Sequence, residues 1–123
     1  MNNVILVGRL TSNPEIAEIE SGKKVTSVIL AVNRNFKNSE GVYDTDFIRC
    51  IFWNNIASST TEYCQIGDVI GVKGRLQTSK YEDENKKMHY NVDVIAERVT
   101  FLSTNKKHED NNEEVKGNKK KNN

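Results

Sequence analysis

Asp46-Phe47-Ile48-Arg49-Cys50-Ile51-Phe52-Trp53 decides how this chain reads. Successive side chains of a β-strand point to opposite faces, so the stretch divides by parity. Ile48, Cys50 and Phe52 form one apolar face that suits a core. Phe47, Arg49, Ile51 and Trp53 form the other, with two large aromatics around a guanidinium. Burying an unpaired charge is costly, so that second face belongs outside. Aromatic rings beside positive charge suit nucleic-acid bases, which stack on rings while their phosphates seek cations.

Working outward, Val4–Leu10 is a β-branched run carrying Gly8, where a strand glycine marks a bulge or sharp bend. Pro14 interrupts pairing, Ser21-Gly22 signals a turn, and residues 24–34 resume as a long strand. A polar loop with Gly41 leads into the strand at 46–53. One helix follows, capped by Asn54 or Asn55, carrying Ile56, Thr60, Tyr63 and Cys64 at helical spacing and stopped by Gly67. Strand character returns over 69–81, a charged hairpin tip covers 82–87, and 88–96 runs back, with 99–102 as a short closing strand or strand end. Three strands, one short helix and two further strands describe an all-β, five-stranded Greek-key barrel of the OB type, with its helix between strands 3 and 4. A β-sandwich would show more strands and no helix at that place.

The fourth strand repeats the pattern of the third. Lys73, Arg75, Gln77, Ser79 and Tyr81 share one parity; Gly74, Leu76, Thr78 and Lys80 share the other. Arg34 and Phe36 have the parity of the core residues Val28, Leu30 and Val32, so a bend or bulge is needed to turn them outward. Arg9, just past Gly8, carries the same ambiguity. Among the remaining aromatics, Phe52, Tyr63 and Phe101 read as core, and Tyr43 and Tyr90 as structural or loop residues.

With 123 residues there is room for one domain and an extension. The extension begins near Asn105: residues 105–123 hold six Lys, four acids and a single sizeable apolar residue, Val115. Such a composition cannot offset its ordering entropy, so an OB domain over 1–104 followed by a disordered Lys/Asn-rich tail over 105–123 is expected. The first 104 residues carry twelve basic and thirteen acidic groups, so polyanion binding there must come from clustered cations. Cys50 and Cys64 form no CxxC pair and read as reduced structural thiols. The N-terminus does not read as a signal peptide, and no apolar run approaches the ~20 residues of a membrane span, so a cytoplasmic protein is expected. His89 and His108 lie in unrelated segments without metal-ligand spacing, and the Gly71/Gly74 stretch lacks the Lys-Ser/Thr of a phosphate loop. No catalytic residue, metal or cofactor is expected.

At three places the chain resembles the bacterial single-stranded DNA-binding proteins: Asn3–Leu10 with Asn13-Pro14-Glu15, Thr45–Cys50 with Trp53, and Gly74–Thr78 with Tyr81. The middle block looks like the branch found in Gram-positive bacteria and their mobile elements. The resemblance implies that Phe36, Phe47, Trp53 and Tyr81 stack on bases. It implies that Arg49 and Lys80 contact phosphates, with Arg9, Arg34, Lys37, Lys73 and Arg75 as further phosphate candidates. It also implies a nucleoid-associated homotetramer that coats single strands in replication, recombination and repair. Family members usually close on an acidic tip with a Pro-Phe element that recruits other proteins; this sequence ends Lys-Lys-Lys-Asn-Asn, so recruitment is not implied. Two other readings of the same barrel are an RNA-directed or replication-restart OB protein and a protein-interaction OB subunit.

Overall fold

The computed structural model describes residues 1–103; the expected tail, with His108 and the terminal Lys run, lies outside the described residues. In chain order the elements are β1 (Val4–Leu10), β2 (Ala17–Glu18), β3 (Lys24–Lys37), β4 (Tyr43–Trp53), α1 (Asn54–Tyr63), β5 (Val69–Glu82) and β6 (Met88–Ser103). Neighbours run β1-β5-β6-β4-β3-β2, and a further β1–β3 pairing closes the sheet. All pairings are antiparallel except β4 with β6. The short β2 only edges β3, so five strands make the barrel and α1 lies between its third and fourth, as an OB fold requires.

Closure depends on glycine where backbones meet. β1 leaves β5 and turns onto β3 at Arg9 and Leu10. At Gly8 a Cβ would stand 2.8 Å from the Ala31 carbonyl oxygen and 2.9 Å from Val32 Cγ2. Gly8 thus marks a close approach, since its pairing with Ile70 continues the β1–β5 register without interruption. At Gly74 a Cβ would overlap the Ile95 carbonyl. There the register passes from Lys73↔Arg98 to Gly74↔Ala96, leaving Glu97 as the extra residue of a bulge. That bulge joins 88–96 and 99–102, which the sequence suggested as separate pieces, into one strand.

The core is the set of inward parities. Leu10, Val28, Leu30, Cys50, Phe52, Ile70, Val72, Val94 and Ala96 fill the barrel, and Ala57 and Cys64 close one end. The helix lacks its expected asparagine cap: the N-cap residue is Trp53, without a side-chain hydrogen bond. Asn54 instead adopts φ 53°, and its Oδ1 accepts the Lys24 amide at 3.3 Å. Asparagine tolerates that left-handed backbone better than most residues, which lets β4 turn directly into the helix. Tyr63 and Phe101 correct another expectation. They are 56% and 46% exposed and pack on one another, with ring centroids 5.8 Å apart.

Both cysteines are free and buried. Burial, aided by the nearby Asp93 charge, pushes the Cys50 thiol up to about 12, and burial with Asp68 does the same for Cys64. Neutral thiols inside a barrel should resist maleimide at pH 8 and react only once the chain is unfolded; rapid labelling of the native protein would contradict this. The sign of the linkage follows. The fold holds these thiols protonated, so their contribution is intact below pH 9.0, the ordinary thiol value, and is lost as pH rises towards about 12. Guanidinium midpoints should therefore fall across that alkaline window, and Cys50→Ser should blunt the fall.

Candidate nucleic-acid interface

β4 presents its two faces as its parity requires. Cys50 and Phe52 are fully buried, while Phe47 is 67% exposed and Arg49 is exposed between it and the half-buried Trp53. The partner residues on β3 are Ala31 opposite Phe47, Ile29 opposite Arg49, Ser27 opposite Ile51 and Val25 opposite Trp53. Small and medium side chains thus floor a shallow track between the two aromatics.

The β1–β3 connection walls this track. A hollow of about 720 Å³ lies between Ser12, Asn13 and Ala17 on one side and Arg49, Ile51 and Trp53 on the other. A second, of about 360 Å³, continues it past Arg49 to Thr11 and Ile29. A third, of about 420 Å³, lies at Phe47, Ala31 and Arg9. Together they run the length of the β3–β4 face. The wall is tied down locally: the Glu15 amide donates to Thr26 Oγ1 at 3.1 Å, Asn13 Oδ1 accepts the Ile66 amide at 2.7 Å, and Thr11 Oγ1 donates to the Ile29 carbonyl at 2.7 Å. No motif or spacing in the sequence singled out Thr11 or Ser12, and Asn13 stood out only within the Asn13-Pro14-Glu15 block, because they join the site only when β1 folds onto β3.

The cations differ in how they are held. Arg49 is loosely engaged, with Nη1 3.9 Å from Asp93 and its side chain 53% exposed. Arg9 donates to the Gly67 carbonyl at 2.6 Å, and Arg75 donates to Gln77 Oε1 at 2.8 Å. Lys37 lies 5.7 Å from the Tyr43 ring centroid. Lys73 and Lys80 are exposed and have no ion-pair partner among the described residues. Lys80 lies opposite Tyr90, on the other face of the β5–β6 arm from Tyr81, which lies opposite His89.

Arg34 is placed differently from the other cations. The register between β3 and β4 shifts between Asn33↔Thr45 and Lys37↔Tyr43, four residues of β3 against two of β4. Arg34 and the 59%-exposed Phe36 lie within that irregular stretch, where residues 33–37 of β3 are all exposed, so their core parity no longer buries them. Arg34 Nε and Nη2 then donate to Asp46 at 2.9–3.1 Å, Nη1 stands 3.6 Å from Asp44, and Cζ lies 5.9 Å from the Phe36 centroid. The guanidinium bond holds the Asp46 carboxyl below its ordinary range. With two carboxylates against it, Arg34 braces Phe36 more readily than it meets a phosphate.

Among the described residues, no group of three His, Cys, Asp or Glu side chains could hold a metal ion, and no helix is long and apolar enough to cross a membrane. The surface is an aromatic track with flanking cations, on the face that OB folds use for oligonucleotides: that of the barrel's second and third strands, with the loops after the first and fourth.

The chain is 44% identical over 101 residues to single-stranded DNA-binding protein B of Bacillus subtilis, covering 82% of this chain and 89% of that protein. It is 45% identical over 102 residues to the single-stranded DNA-binding protein of Bacillus cereus, covering 83% of this chain and 60% of the relative. Single-stranded DNA-binding protein 3 of Listeria innocua is 42% identical over 104 residues, 85% of this chain and 65% of its own length. The chain thus spans less than two thirds of the latter two relatives. The profile of the single-strand binding protein family matches residues 1–102, the whole barrel. With that match and these identities, the chain belongs to the single-strand binding protein family.

Proposed function

We propose that the β3–β4 track carries an extended single DNA strand, with bases stacked on Trp53 and Phe47 and phosphates drawn to Arg49. The carrying observation is the succession of hollows along β3–β4 from Trp53 past Arg49 to Phe47, walled by the β1–β3 connection near Trp53 and Arg49 and by β1 near Phe47. Phe36, on the bulged end of β3, and Tyr81, on the β5–β6 arm, extend the stacking surface. Arg9, Lys37, Lys73, Arg75 and Lys80 supply further phosphate attraction, and Arg34 contributes through Phe36. Stacking accepts any base, so binding is sequence-tolerant. The protein acts as a cytoplasmic, nucleoid-associated coat of single strands during replication, recombination and repair, without catalysis or cofactor, and assembles as a homotetramer.

Trp53 is the chain's one tryptophan, so its fluorescence reports the track directly. Titration with oligo(dT) should quench it, and the affinity should fall as salt rises. Each phosphate neutralised contributes about −0.7 to the log–log slope on a single strand, so three to five contacts give roughly −2 to −4. Matched duplex DNA should compete poorly. An unquenched Trp53, or equal competition by duplex, would overturn this function; stronger competition by matched RNA would redirect it to RNA.

A further inference from the structure

His89 lies outside the track, yet its ring is placed against one of the stacking aromatics. It stands opposite Tyr81 across the β5–β6 hairpin, and the two rings lie 4.9 Å apart at 17°, an offset stack. Its Nε2 is 2.6 Å from Asp83 Oδ2. The other oxygen of that carboxylate accepts the amides of Asn85 at 2.9 Å and Lys87 at 2.8 Å, so the hairpin tip itself holds Asp83 in place. The His89 bond, followed by the one from Lys87, keeps the Asp83 carboxyl below its ordinary range. Tip, carboxylate, imidazole and phenol ring thus form one connected chain on an arm whose Tyr81 is 53% exposed.

An exposed aromatic that must stack on a ligand gives up rotamer freedom when it does so. Tyr81 has already surrendered part of that freedom to His89. We infer that His89 is a positioning residue for Tyr81: it covers one face of the phenol ring and leaves the opposite face, already oriented, to receive a base. This rests on the proposed role of Tyr81 as a stacking platform. The outer face of the ring continues the DNA track beyond the barrel along the arm, and His89 sets the angle at which it does so.

Oligo(dT) affinity of the full chain, read from Trp53 quenching, tests the arrangement with four variants. Tyr81→Ala should weaken binding about tenfold, as the loss of one stacked base would. His89→Ala should weaken it about fivefold, on the scale of one aromatic pair. His89→Phe keeps a ring and drops the Asp83 bond, and should return affinity to within about twofold of the parent. The Tyr81→Ala/His89→Ala double variant should bind no more weakly than Tyr81→Ala alone, because His89 acts through Tyr81. Additive losses in the double variant, or a loss in His89→Ala that Phe does not rescue, would overturn the inference. So would an unchanged His89→Ala beside a weakened Tyr81→Ala. An unchanged Tyr81→Ala would instead remove the platform, and the inference with it.

Discussion

Trp53→Ala and Phe47→Ala should each weaken single-stranded DNA binding by roughly 1–3 kcal/mol, about 5- to 150-fold, the range measured for base–aromatic stacking. Six residues of strand separate the two rings, about 20 Å at a strand's rise, so they serve different bases. Well-separated sites without shared partners add, and the double variant should lose the sum of the two effects. Folding should be nearly untouched in Phe47→Ala, since that ring is 67% exposed and surface truncations seldom exceed about half a kcal/mol. Fluorescence anisotropy with labelled oligo(dT), beside a thermal melt, measures both quantities, and anisotropy also serves the variant without tryptophan. Unchanged affinity in both single variants would remove the track as the binding surface and favour a protein-interaction OB subunit.

One residue away on the same strand, the expected result reverses. Phe52 is 0% exposed and is the largest of the fully buried side chains. Phe52→Ala should destabilise the barrel by about 3–5 kcal/mol, combining lost transfer energy with the cavity left in the core cluster to which it belongs. For a domain of this size that corresponds to a fall in Tm of about 12 °C or more. The guanidinium midpoint should drop with the slope unchanged, since the substitution barely alters the surface exposed on unfolding. A loss below 1 kcal/mol would mean that Phe52 does not fill the core. Phe52→Ala and Trp53→Ala together separate stability from binding across a single peptide bond.

Much of the interface was legible because strand parity is a local property. The outward run of Phe47, Arg49 and Trp53, and the opposite placement of Lys80 and Tyr81, need only a period of two. Helical periodicity was a poorer guide. Tyr63 had the spacing of a core residue, but α1 buries only Ala57 and Thr60 fully, and the Tyr63 ring lies outside against Phe101. Phe101 failed for a related reason: bulges at Glu97 and Leu102 shift β6 by one residue at each, so parity cannot be carried along it. For His89 the sequence spacing speaks only against a metal site. Folding the hairpin about its charged tip would have placed it near Tyr81, but the pairing with Asp83 depends on the turn's own geometry.

The sequence by itself determined the order of the main elements, the inward faces of β3 and β4 and the aromatic outer face of β4, because alternation and turn chemistry act over a few residues. Only the tertiary structure decided which cations remain open to a phosphate and where the track has a wall. Arg34 keeps the parity of Val32 and meets Asp46 and Asp44 across the β3–β4 pairing, while Arg49 faces the groove with Asp93 only 3.9 Å away. Likewise, Ser12 and Asn13 meet Trp53 only through barrel closure at Gly8. Register, bulges and closure join residues distant in the chain, and an ion pair or a groove exists only once those distances have collapsed.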